Sequence, residues 1–294
     1  MTSTGTEVTI VEAGPVIVRQ ADSESHLIDL WIANSNSAHT RRARSEDAAR
    51  FLGFVAKPLA LVTVGDLYAY ADSLTGSDSA RARRVNHVKS LLSFGQRLGW
   101  LAFNPGAVVK APAIKEALAE RIVTEADVHR MLALETEPRN RVLLNLLYVA
   151  GLRISEVVGL TWRDCAARDD AGQITVFGKG GKTRVVLLPV STWCALSGMR
   201  ADAQADAPVF RSRKGGGALD PSAVHRVVKA AAERAGLDPA VSAHWLRHAH
   251  ASHSLDRGAP IHLVQATLGH ASVATTGRYL HARPSDSSGR YLGM

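Results

Sequence analysis

The last fifty residues hold the side chains best suited to chemistry on a phosphate: His244-Trp245-Leu246-Arg247-His248, then Leu268-Gly269-His270, then Tyr279. A guanidinium can hold a phosphate through two parallel hydrogen bonds. An imidazole moves a proton near neutral pH, and a phenol becomes a covalent nucleophile when a base and positive charge assist it. Two cations upstream, Arg153 and Lys179, would complete a site built around one phosphodiester. Attack there builds negative charge on the non-bridging oxygens, which fixed cations stabilise without reorganising. The nucleophile must lose a proton and the leaving 5′-oxygen must gain one. When the nucleophile belongs to the protein, the bond energy survives in a phosphoester, and rejoining needs neither ATP nor a metal. The set points to cutting and rejoining of DNA strands through a phosphotyrosine bond.

Each residue also has a plainer reading. Arg153 follows a helix break at Gly151, near a helix N-terminus that favours an anion, but it can equally pair with Glu156 one turn later. Lys179 sits at a hairpin tip within Gly178-Lys179-Gly180-Gly181-Lys182, where it can be a solvated turn lysine, and Lys182 competes for its role. His244 and Arg247 are three apart on a helix capped by Ser242, so both project from one face. His248, His250 and His253 share that helix and read as packing or surface groups. His244 and His248 are also four apart, as zinc ligands can be, but Trp245 stands where a metalloprotease would need Glu. No metal and no cofactor is expected. Tyr279 reads alone as a core tyrosine whose hydroxyl finds a partner, although the small residues Ala274 to Gly277 would let its helix move or lie exposed.

The chain has 294 residues and a formal net charge of +8 with His neutral. That excess favours an acidic partner, nucleic acid first. The candidate DNA contacts are Arg41, Arg42 and Arg44 on one helical stretch, Arg81, Arg83, Arg84 and Lys89 on another, and Lys182 beside the hairpin tip. For each cluster, a solvated helix face is the plainer reading. Only Cys165 and Cys194 are present, far apart and without a Cys-x-x-Cys partner. No apolar run approaches the roughly 20 residues that span a bilayer, and Met1 to Gln20 lacks the pattern of a secretory signal. A cytoplasmic protein is expected.

The length suits two domains. Residues 1–20 read as a flexible arm and 21–107 as a helical domain. Its four helices begin near Ser25, Ser37, Thr63 or Asp66, and Ser77, and form a small bundle. Residues 108–122 read as a linker, 123–283 as the domain that bears the chemistry, and 284–294 as a tail. Thr124-Glu125-Ala126-Asp127 looks like a capping box. Helices are expected at about 124–135, 139–150, 152–160, 191–200, 221–235, 243–257, 260–268 and 272–281, with Gly236, Gly258 and Gly269 as C-caps. Residues 173–177 and 183–188 are the only convincing strands, joined as a hairpin.

The order GLRISE, GKGGKTR, HWLRH, LGH and Tyr279 resembles the tyrosine recombinases, also called the phage integrase family. The likeness covers about Glu120 to His281, and the N-terminal helices resemble that family's core-binding domain. It implies a mainly α fold with a small β-hairpin, arranged as a two-domain C-shaped clamp on duplex DNA. By the resemblance, Arg153 and Arg247 would hold the scissile phosphate, His244 would assist proton transfer, and His270 would support the transition state. Lys179 would be general acid to the 5′-oxygen and Tyr279 would form the 3′-phosphotyrosyl link. The chain has no room before residue 20 for the arm-site domain of many phage integrases, which places it nearer the compact Xer-like members or the simplest integrases, and it has no insertion before His244. The partners implied are double-stranded DNA with a specific core site and a homotetramer on two such sites, with a monomer or weak oligomer off DNA. Competing expectations are a non-cutting DNA-binding regulator of the same fold, a zinc hydrolase built on the histidine-rich helix, and a type IB topoisomerase-like activity.

Overall fold

The structure, a computed structural model, describes residues 20–113, 118–178, 181–213 and 215–282. The arm before residue 20, the tail and Lys179 lie outside the described residues. Contacts divide the chain into two units, residues 1–116 and 117–294.

In the first unit, α1 (Glu24–Ala33), α2 (Ala38–Val55), α3 (Val64–Ser73) and α4 (Asp78–Arg97) follow one another. Each starts at a hydroxyl residue, Ser23, Ser37, Thr63 and Ser77, whose side chain accepts from a backbone N–H of the first turn. Those hydroxyls satisfy donors that a helix leaves unpaired. At Thr63 the box closes, since Asp66 accepts from the Thr63 backbone N–H in return. Leu27, Trp31, Phe51, Tyr70, Leu91 and Leu92 fill the core. Within the segment read as linker, Val109 is buried in this core and Ile122 in that of the second unit.

The second unit opens at the Thr124 cap with α5 (Glu125–Ala133), followed by α6 (Pro138–Val149) and the short α7 (Ile154–Val158). A three-stranded antiparallel sheet comes next: β1 (Cys165–Arg168), β2 (Ala171–Phe177) and β3 (Thr183–Leu188), in that order. Cys165 pairs with Ile174, and Thr175 with Val185. Strand β1 has no counterpart in the sequence reading, because three of its four residues are exposed and Ala-Ala-Arg shows no alternation. Helices α8 (Val190–Ser197), α9 (Pro221–Arg234), α10 (Ala243–Asp256), α11 (Ile261–Leu268) and α12 (Val273–Ala282) complete the unit. Gly236, Gly258 and Gly269 all have positive φ, as residues just past a helix end commonly do.

Helix α10 positions the site. Its Leu246 and Ala249 lie in the main core with the leucines of α6, while Ala251 joins a separate cluster with Val264, Leu268 and Tyr279. One helix thus packs on both the scaffold and the C-terminal helices. Among the described residues, no helix is long and apolar enough to cross a membrane.

Candidate active site

Arg247 is nearly sealed in, at 2% exposure. Its two terminal nitrogens donate to the carbonyls of Gly151 and Leu268, tying α10 to the end of α6 and the end of α11. Burial, then the nearby positive charge of Arg153, lowers its pKa to about 10, so it stays charged at neutral pH. The two carbonyls fix the plane of the guanidinium and leave its other N–H groups facing a cleft shared with Arg153 and His244. Gly151 makes this possible. Its φ is +57°, and a Cβ there would lie 2.6 Å from the Leu268 side chain.

Arg153 is the N-cap of α7, and Glu156 bonds it twice. The carboxylate accepts from the Arg153 backbone N–H at 2.9 Å and from Nη1 at 2.7 Å. The pairing with Glu156 and the place in the site coexist, because Arg153 keeps further donors and about two-fifths of its side chain is exposed. The same carboxylate is gripped by Arg184 of β3 through two bonds of 2.9 Å, and Arg184 Nε donates to the Thr267 carbonyl at 2.7 Å. Glu156 and Arg184 therefore tie α7, β3 and the end of α11 into one frame. The sequence reading saw Glu156 only as a rival partner and did not single out Arg184.

His270 follows the αL cap at Gly269, and its Nδ1 lies 2.9 Å from Thr276 Oγ1 on α12. Its ring stacks on Tyr279, with centroids 6.4 Å apart and planes 6° from parallel. With Arg153, Lys182 and Arg184 it lines a second cleft, on the hairpin side of Arg153. His244 is exposed on the first turn of α10. Partial desolvation, then Arg247, Arg153 and Arg121, depress its pKa, which favours a neutral ring able to accept a proton. Ser242 occupies the N-cap position of that helix, but its hydroxyl makes no capping bond there. Among the described residues, no group of His, Cys, Asp and Glu is placed to hold a metal.

Tyr279 is buried at 5% exposure, and its burial raises the phenol pKa. Its hydroxyl lies 2.7 Å from Nδ1 of His248. The sequence reading left His248 among packing groups, although its spacing four after His244 puts it on the same helix face. The neighbouring histidines do pack: His253 Nδ1 lies 2.9 Å from the Tyr148 hydroxyl, and His250 bonds the Tyr148 backbone. The structure thus brings Arg153, His244, Arg247, His270 and Tyr279 together in one unit, with Lys182 at the edge.

The candidate DNA contacts of the first unit divide. Arg41 and Arg42 are exposed on α2, and their side chains make no hydrogen bond or ion pair among the described residues. Arg44 donates to the Trp31 carbonyl at 2.7 Å and lies 4.8 Å over its ring. Arg83 lies 3.4 Å from buried Asp47, Arg84 donates to the Thr75 carbonyl at 2.9 Å, and Lys89 donates to the Val109 carbonyl. Arg81 lies 3.6 Å from Asp78. Arg44, Arg84 and Lys89 are in part structural, because helical spacing cannot show which long side chains turn back onto their own unit.

Acid should undo this site. Burial, reinforced by nearby positive charge, holds His248 at about 3 and His270 at about 4. Burial alone would raise Glu156, but the bonds from Arg184 and from the Arg153 N–H outweigh it and hold the carboxyl at about 2. Below about pH 6.5 the unfolded chain takes up protons that folded His270 refuses until about pH 4 and His248 until about pH 3, so stability falls. Glu156 adds to the loss from about pH 4.5 down to about pH 2, for the same reason. The thermal midpoint should therefore decline from pH 7 to pH 4, and a flat profile would contradict the burial described.

Residues 120–286 match the model of the Phage integrase family. The tyrosine recombinase XerC of Xanthomonas campestris pv. campestris (strain B100) is 34% identical over 271 residues, covering 88% of this chain and 83% of that protein. The tyrosine recombinase XerD of Shewanella oneidensis is 31% identical over 277 residues, covering 88% and 91%. Among solved structures, the fold is similar to a lambda integrase(75-356) dimer bound to a COC' core site, with a TM-score of 0.72 at 17% identity over 89% of this chain and 96% of that one. It is also similar to the XerH site-specific recombinase in its post-cleavage complex with a palindromic difH substrate, with a TM-score of 0.68 at 22% identity over 89% and 82%. With that match spanning more than half of its length and Xer relatives aligned over most of it, the chain belongs to the phage integrase family of tyrosine site-specific recombinases.

Proposed function

We propose that this chain recombines DNA at a specific site by two rounds of transesterification through a 3′-phosphotyrosyl intermediate at Tyr279. The observation that carries the reading is the convergence of a phenol, two guanidiniums and two imidazoles on one side of α10, in a unit that also fits the family. Arg153 and Arg247 hold the non-bridging oxygens of the scissile phosphate, each with donors left over from its structural bonds. His244 assists proton transfer at the nucleophile, and His270 braces the phosphate from the Tyr279 side. Lys179 protonates the leaving 5′-oxygen, and Lys182 beside it contacts the backbone. The helical first unit supplies a further grip on duplex DNA, and a homotetramer on two core sites brings the strands together for exchange.

Incubation with nicked duplexes from the source genome, with EDTA present, tests this. Attack on such a substrate releases a short strand and traps the protein on DNA. A slower, protein-linked band on a denaturing gel is expected, and sequencing the trapped DNA gives the site. Tight binding to a duplex without any covalent product would favour a regulator that does not cut.

Binding itself should be steeply salt-dependent, with a slope of log affinity on log salt of about −0.9 per phosphate neutralised. Replacing the exposed Arg41 and Arg42 together by Ala should flatten that slope by about two. An unchanged slope by fluorescence anisotropy would remove both residues from the DNA contact.

A further inference from the structure

We propose that His248 is a positioning residue for the nucleophile: its Nδ1 accepts the hydrogen bond of the Tyr279 hydroxyl and holds that oxygen beside the phosphate site of its own chain. The inference rests on the proposed role of Tyr279. The bond spans 2.7 Å between two helices, α10 and α12, and both residues are buried, at 8% and 5% exposure. His248 directly follows Arg247, whose guanidinium is locked to Gly151 and Leu268, so the acceptor is fixed to the same rigid turn as the phosphate clamp. The ring of His248 also meets that of His244 at 4.1 Å, edge to face, which limits its rotation. On the other side, the Tyr279 ring stacks on His270, itself bonded to Thr276. The phenol is held by its face and by its oxygen, which is the pre-organisation that attack on phosphorus requires.

The protonation states follow. Burial comes first, then the positive or protonatable groups His244, Arg121, Arg247 and Arg278; together they keep His248 neutral at pH 7. The buried phenol stays protonated, so the hydroxyl donates and Nδ1 accepts. Burial raises the phenol and lowers the imidazole, so full transfer of the proton from one to the other is unfavourable. The role assigned is therefore orientation of the oxygen and not removal of its proton.

The position of the acceptor allows a sharp test. An Asn side chain places its oxygen where Nδ1 stands, whereas Gln places it near Nε2. Single-turnover covalent capture should be measured at saturating protein, on a nicked duplex carrying the sequence that the unaltered chain enriches from genomic fragments. His248→Ala should slow capture by about ten- to a hundredfold with unchanged affinity for the duplex. His248→Asn should recover most of the rate, and His248→Gln should not. Thermal melts of all three variants identify any that fails to fold. A wild-type rate in His248→Ala overturns the inference alone. Equal rates in folded Asn and Gln variants also overturn it, because a role in packing makes no distinction between them. If the unaltered chain forms no covalent product, the proposed function fails and this inference with it.

Discussion

Replacing Tyr279 with Phe should remove every covalent protein–DNA product while leaving duplex affinity within about 1 kcal/mol of the unaltered chain. Among the described residues, no other tyrosine is placed to substitute for it. Among the described tyrosines, Tyr148 bonds His253 on another part of α10, and Tyr68 and Tyr70 belong to the first unit. The ring of Phe can keep the stack on His270, so α12 should stay in place. One cost is specific to this structure: His248 Nδ1 would lose its only described partner while buried, a penalty of about 1–3 kcal/mol. The variant should therefore melt a few degrees lower and still bind DNA. The measurement is a denaturing gel of nicked-duplex reactions beside a binding titration. A covalent band that persists in Tyr279→Phe would move the nucleophile elsewhere and sink the assignment.

The second large effect is expected at Arg247. Arg247→Lys keeps the charge, but a tetrahedral ammonium cannot reproduce the planar fork that spans the Gly151 and Leu268 carbonyls and still face the phosphate. Loss of one fixed donor to a developing oxyanion typically lowers the rate by about 10²–10³, and that loss is expected in single-turnover capture. Stability should fall as well, by about 1–3 kcal/mol for a buried carbonyl left unpaired. Affinity for the uncut duplex should change far less, since it comes from many phosphate contacts. Capture at the rate of the unaltered chain would show that Arg247 is a structural strut alone. A proportionate loss of binding and capture would place it in ground-state recognition.

These two residues also mark the boundary between what was legible and what was not. Tyr279 and Arg247 stand out in the sequence because the chemistry demands a phenol and a guanidinium, and because both sit in short motifs of fixed order. The starts of α2 to α5 were equally legible, since a cap is made by a hydroxyl and an N–H two or three residues away, whereas α1 is capped by Ser23, two residues before the start expected at Ser25. Local signals failed where the structure is not local. Strand β1 exists because β2 offers it a ladder, and its own residues carry no periodic pattern. Ser242 lies where a cap belongs, yet its hydroxyl makes no capping bond.

The sequence by itself determined the inventory and its order: which residues can bind phosphate, which can move protons, which can form the ester, and which helices bear them. Tertiary structure alone decided who restrains whom. Arg184 reaches Glu156 across 28 residues and Thr267 across 83. Arg247 reaches back 96 residues to Gly151, and His248 meets Tyr279 across 31. Periodicity and capping act within a turn or two of helix, so they place each side chain on a face but not opposite a partner. Which faces meet is settled by burying the leucines of α6 and the cluster around Leu268, and that packing turned a spare histidine into the partner of Tyr279.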